Sequence, residues 1–118
     1  MRTAAPAALV LLATAGVAAA GLSVVYRDYF AGPVGYLLTE PERAAWQRVT
    51  TDAEAERFLE VFWLRRDPDI ATPENEFRLE FERRVSAADH LFGFGGTRGA
   101  MSARGRTLIL LGMCDTHR

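Results

Sequence analysis

The chain has 118 residues, a formal net charge of −1, a single cysteine, and 14 cationic residues that are all arginine. Near-neutral charge with Arg and Glu interleaved gives no one-sided field, which excludes charge-driven binding to nucleic acid or to an anionic membrane surface. One cysteine excludes an internal disulfide, so a domain this small must be held by its hydrophobic core alone.

Met1 and Arg2 precede residues 3–25, a run with no charged side chain whose most apolar part is Leu9, Val10, Leu11 and Leu12. The run fades into Ala18, Ala19 and Ala20. That is the small-x-small pattern signal peptidase reads, so residues 1–20 are expected to be a signal peptide. The uncharged run also approaches the ~20 residues of a bilayer-spanning helix, so an uncleaved anchor to about residue 25 is the competing expectation. Cleavage is favoured because Ala, Gly and Thr insert more weakly than Leu. A lipoprotein is disfavoured, since its acylated Cys would follow the apolar run and the Cys of this chain is Cys114. The expected location is exported, periplasmic or secreted, with inner-membrane anchoring as the alternative; membrane contact then runs only through the N-terminal segment.

Residues 21–36 are aromatic and broken by Gly and Pro, which suits a linker that leads in extended and lays Tyr or Phe on the domain surface. Thr39, Pro41 and Glu42 form a capping box that starts a helix expected over residues 40–49. Thr51 and Glu54 form a second box, so the next helix, residues 52–66, follows after a short turn and should pack on the first as a hairpin. Its apolar face carries Phe58, Val61 and Phe62, with Leu59 and Trp63 a step round. Pro68 pushes Asp67 out of helical geometry and ends it. Thr72 with Pro73 is expected to cap a third helix. Phe77, Phe81, Val85, Ala88 and Phe92 then recur every three or four residues as one helical stripe.

The glycines of residues 93–99 end that helix. Thr107 to Leu111, bounded by Gly105 and Gly112, reads as a short buried strand. A single strand leaves its ladder groups without partners. The expected fold class is therefore mainly α: an N-terminal signal or anchor helix, a three-helix block, and a single C-terminal β-strand, the start of a truncated α+β domain.

The runs YLLTEPER from Tyr36, FLEVFWLRRDP from Phe58, TPENEF from Thr72 and the Glu82-Arg83-Arg84 that follows resemble the GWxTD-domain family of bacterial envelope proteins, exported and biochemically uncharacterised. The resemblance covers residues 36–96, with residues 37–118 as a partial domain, and it implies a helical block followed by strands. It departs where the family gets its name: Gly99 is kept, Ala100 stands for Trp, Ser102 for Thr and Ala103 for Asp. Met113-Cys114-Asp115 stands where the family has Pro-Pro-Asp.

No residue pattern points to catalysis. Glu56/Glu60 and Glu76/Glu80 are four apart on helices, but neither His90 nor His117 has a Glu three residues before it, so the di-iron pattern is incomplete and the pairs read as solvated faces. His90 has no identifiable nucleophile beside it. Cys114 and His117 are half a metal site. The glycines at 93, 95 and 96 follow a helix rather than precede one, and there is no Lys for a P-loop. No catalytic residue, metal or cofactor is expected. The sharpest candidate is polar: Arg65, Arg66, Asp67, Asn75, Glu76 and Arg83 flank the Pro68 break, as a structural clasp or, alternatively, a binding notch. The expected function is a non-enzymatic protein-interaction module of the envelope, binding a protein through a helix surface or an open strand edge. The alternative is the remnant of a catalytic domain whose active site lay beyond residue 118.

Overall fold

The computed structural model describes residues 21–112; the signal or anchor segment, residues 1–20, and the Cys114/His117 pair lie outside the described residues. In chain order these form α1 (Val24–Arg27), two 3₁₀ turns (Tyr29–Ala31 and Pro33–Leu37), α2 (Glu40–Trp46), α3 (Asp52–Leu64), α4 (Glu76–Phe92), a 3₁₀ turn (Gly99–Met101) and α5 (Ala103–Leu111). The fold is mainly helical, and no strand occurs among the described residues.

Local hydrogen bonds start the helices. Thr39 Oγ1 accepts from Glu42 N while Glu42 Oε1 accepts from Thr39 N, the reciprocal box at α2. At α3, Thr51 Oγ1 accepts from Glu54 N, but the Glu54 carboxylate reaches back to Thr50 N instead of the cap residue. The third helix starts later than expected: Asn75, not Thr72, is the cap of α4, accepting from Arg78 N (3.0 Å). Asn75 also donates from Nδ2 to the Trp63 carbonyl (2.7 Å), and that bond fixes where α4 can begin. Thr72 is used in the preceding turn, its hydroxyl donating to Glu76 Oε1 (2.6 Å) and lying within hydrogen-bond distance of the Asp69 and Glu74 carbonyls.

The lead-in is not extended. Residues 24–37 coil into α1 and the first two 3₁₀ turns, and their aromatic side chains enter the core. The Phe30 ring stands edge-on to Trp46, Phe58 and Phe62, with centroids 4.8, 5.9 and 5.2 Å away. Edge-to-face rings of this kind add about 0.5–1.5 kcal/mol each to what their burial contributes. Trp63 Nε1 donates to the Tyr29 hydroxyl (2.9 Å), and the Tyr36 hydroxyl donates to the Ala100 carbonyl (2.9 Å). Residues 21–36 thus include a packed part of the domain, Phe30 adding its ring to those that Trp46 and Phe81 set against α3.

The expected strand at residues 107–111 is a helix. Ser102 caps α5, its Oγ accepting from Gly105 N (3.0 Å), and Thr107 Oγ1 donates back to the Ala103 carbonyl (3.0 Å). With no second strand to pair with among the described residues, a helix is the form that satisfies these backbone groups from within the segment. Leu108, Leu110 and Leu111 also favour helix over strand. Arg84 Nη1 donates to the Ile109 carbonyl (3.1 Å), satisfying one of the last carbonyls of α5. The open strand edge expected as a docking element is therefore not present among the described residues.

Buried Phe62, Trp63, Phe81, Ala88, Ala100 and Ile109 form one core, joining α3, α4, the last 3₁₀ turn and α5. The α4 stripe holds from Phe81 onward: Phe81 and Ala88 are buried, and Val85 and Phe92 pack against the core, while Phe77 at its start is 39% exposed and outside it. Asp89 binds the 3₁₀ turn to α4, with Oδ1 accepting from Ala100 N (2.8 Å) and Oδ2 from Arg98 Nε (3.0 Å). Gly99 and Gly105 let three backbones meet: a Cβ on Gly99 would strike the Ala88 carbonyl, and one on Gly105 the Gly99 carbonyl. Replacing Gly by Ala inside a helix ordinarily gains about 1 kcal/mol. At Gly105 the obstacle is backbone, which no rotamer change relieves, and overpacking of this kind costs about 1–3 kcal/mol. Gly105→Ala is expected to lower Tm by several degrees in a thermal melt; an unchanged or raised Tm would contradict the close packing of α5.

Candidate functional site

Antiparallel α2 and α3 are joined at one end by the turn at residues 47–51 and at the other by an ion pair. Arg66 Nη2 lies 2.6 Å from Glu42 Oε1, and Nη1 lies 3.0 Å from Oε2. The same guanidinium donates to the Leu37 carbonyl (2.8 Å) and the Phe62 carbonyl (2.9 Å), and lies over the Phe62 ring at 3.8 Å. Only 15% of the Arg66 side chain and 6% of the Glu42 side chain is exposed. The hydrogen bond from Arg66 is the main force that lowers the Glu42 carboxyl from its ordinary 4.5 to about 2, acting with the Thr39 bonds against the cost of burial.

Between the two helices the backbones stay apart. They leave an open groove of about 700 Å³. Its apolar lining is Ala45, Val49, Phe58 and Val61, with the Trp46 ring tilted against Phe58 at 5.1 Å. Phe58, Val61 and Arg65 follow one another along α3 at spacings of three and four, with Glu54 and Arg57 one turn earlier, so a single helical stripe forms that wall. Of the two carboxylates that line the groove, Glu42 is buried against Arg66, and Glu54 is exposed and accepts from Thr50 N. Arg57 and Arg65, also lining it and exposed, make no ion pair among the described residues. Eight residues apart, they sit about 12 Å from each other along the helix. The groove thus joins an apolar lining to exposed cations.

The six polar residues flanking Pro68 do not converge on one notch. Arg66 turns inward to Glu42, and Asn75 reaches the Trp63 carbonyl from the far side of the break. Asp67 Oδ1 accepts from Asp69 N (3.1 Å) and Glu76 Oε1 from Thr72 Oγ1 (2.6 Å), both within the connecting turn. Arg83 points outward on α4, 76% exposed and 3.7 Å from Glu80. Arg65 and Arg66 alone of the six come together, lining with Thr39 and Glu42 a shallow hollow that adjoins the groove.

Sequence reasoning identified Glu42 as a capping residue and missed it as the partner of Arg66. Its place at the third position of α2 gives no local sign of a bond across 24 residues. Arg57 was missed too, although its position one residue before Phe58 on the α3 stripe was legible. Of the other carboxylates, Glu56 accepts from the Tyr26 hydroxyl (2.9 Å), which raises the Tyr26 pKa, and Glu80 pairs with Arg84 (3.2 Å). For Asp89, burial pushes upward, but the Ala100 N–H and Arg98 outweigh it and hold the carboxyl below its usual range. Among the described residues no three His, Cys, Asp or Glu gather as metal ligands.

Comparison of the chain with protein-family models, with curated proteins and with solved structures gives no match.

The buried pair gives a pH dependence of definite sign. Folding holds Glu42 below its unfolded pKa, so its contribution is complete above about pH 5 and is lost as pH falls through the interval from 4.5 to about 2. Arg66→Ala, which strands a buried carboxylate, is expected to destabilise the protein by about 3 kcal/mol at pH 7. The difference from wild type should shrink toward pH 2 in urea melts; a gap that stays constant over that range would refute the assignment.

Proposed function

We propose that this chain is a non-enzymatic protein-interaction module of the bacterial cell envelope, and that it takes an acidic, amphipathic segment of a partner protein into the groove between α2 and α3. The observation that carries this reading is the pairing of an apolar lining with two exposed arginines that make no ion pair among the described residues, Arg57 and Arg65, while Glu42 is taken up by Arg66 and Glu54 accepts from Thr50 N. An amphipathic segment would bury its apolar side on Phe58 and Val61 and set carboxylates against the two guanidinium groups, as helix-in-groove recognition does. The two cations would chiefly govern specificity and association rate.

A further feature supports a binding role over a catalytic one. The carboxylates whose acidity is perturbed, Glu42 and Asp89, are both held ionised by several donors, which suits structural bonds and not proton transfer near neutral pH. Export rests on the uncharged N-terminal run behind Arg2 and on the resemblance to the GWxTD-domain family.

Selection of random peptides displayed against the full chain tests the site. Enriched sequences are expected to carry Asp or Glu beside apolar residues at helical spacing. The double variant Arg57→Glu/Arg65→Glu should weaken their binding about tenfold or more, equivalent to about 1.4 kcal/mol. Val61→Asp should abolish it with Tm little changed. Binders that lack acidic residues, or that bind both variants as well as wild type, would contradict the reading.

A further inference from the structure

The kind of segment that suits the groove is present in the chain itself. α3 is an acidic amphipathic helix, with Asp52, Glu54, Glu56 and Glu60 against the single cation Arg57. Asp52 and Glu56 are taken up by the lead-in, accepting from Ser23 N (2.8 Å) and from the Tyr26 hydroxyl (2.9 Å). Glu54 lies on the groove side instead, exposed, and accepts from Thr50 N through Oε2. Glu54, Phe58, Val61 and Arg65 recur at spacings of four, three and four, the seam spacing of a coiled coil, and Arg65 at the C-cap keeps helical geometry. The apolar surface of α3 also runs past the groove: Val61 is 43% exposed, and Leu64, outside the groove lining, is 56% exposed. A lone segment seated in the groove would leave Leu64 in water, whereas a second helix pair laid against α3 is broad enough to reach it.

We infer that the partner taken into the groove is a second copy of this chain, the two α3 helices lying antiparallel about a two-fold axis between Leu59 and Glu60. An isologous contact pairs each residue with the one equally far on the other side of its axis, and every pair occurs twice. About this axis Glu54 meets the second copy's Arg65, and Phe58 meets the second copy's Val61. A charged pair then closes each end of a seam about 16 Å long, eleven residues at 1.5 Å each, with two apolar layers between. The neighbouring register, about Val61, would set Arg57 against the second copy's Arg65, and cation against cation rejects it. Each groove receives the other copy's α3, so one contact fills both and gathers α2 and α3 of the two copies into a four-helix arrangement. The inference rests on the groove being a docking site and adds which segment enters it.

Sedimentation equilibrium of the full chain, in a Cys114→Ser background that removes disulfide linkage between copies, reads the pairing. Glu54→Arg alone and Arg65→Glu alone each set like charges at both ends of the seam and should weaken self-association about tenfold or more. Mixed in equal amounts, the two variants should associate as well as wild type, because each end of the mixed pair again sets a carboxylate against a guanidinium. Should Glu54→Arg fail to fold in a circular-dichroism melt, Arg65→Lys, which keeps the charge, should associate like wild type where Arg65→Glu does not. Self-association that Arg65→Glu leaves unweakened, or that mixing the two folded variants does not restore, would overturn the inferred seam. A chain that stays monomeric at every concentration while acidic peptides still enter the groove would overturn self-pairing and leave the groove reading standing; loss of both would overturn both.

Discussion

One guanidinium organises the centre of this structure. Arg66 stands at the end of α3 and is bonded to both oxygens of Glu42, to the Leu37 carbonyl and to the Phe62 carbonyl, so it ties the end of the lead-in, the first turn of α2 and the last turn of α3 at a single point. A buried ion pair is weak evidence of net stability, because desolvation offsets most of its attraction. Its value here is geometric. The planar fork of Arg fixes direction as well as distance, and with Nη1 and Nη2 each donating twice the α2 and α3 ends are held together while their middles are not.

The groove is a consequence of that arrangement. Helices closed by a turn at one end and a clasp at the other, with Trp46 and Phe58 between them, are spaced by aromatic rings and cannot come close along their length. The inner face of α3 is consequently shared. Phe62 and Trp63 go to the core with Phe30 and Phe81, while Val61 and Arg65 remain on the groove side. In a chain without disulfides, the two tasks of holding the fold and presenting a surface fall on adjacent residues of one helix.

Close backbone approach does the corresponding work at the other end. Gly99, Ala100 and Gly105 bring the last 3₁₀ turn, α4 and α5 together, and Asp89 fastens the turn from α4. Ala100, the residue standing where the resemblance would place a tryptophan, is fully buried. The crossing takes a methyl group there, and the small residues of this stretch are a packing solution in their own right.

What the sequence determined by itself was everything that depends on neighbours three or four residues away. The Thr39 and Thr51 caps, the stop near Arg66 before Pro68, and the Phe81-Val85-Ala88-Phe92 stripe of α4 were all legible, because cap bonds and helical periodicity are written in adjacent residues. Residues 107–111 were not: a short apolar run satisfies helix and strand patterns equally, and the choice fell to the absence of a pairing strand and the presence of the Ser102 cap. Nor was the Asn75 start of α4, set by a carbonyl twelve residues back, or the entry of Phe30 into the core from a segment that reads as linker. The candidate site divides in the same way. The apolar stripe on α3 was visible, but the partner of Arg66 and the groove left open beside Phe58 were decided only when residues 24 to 65 apart were brought into contact, and no local pattern encodes which distant group a buried polar side chain will find.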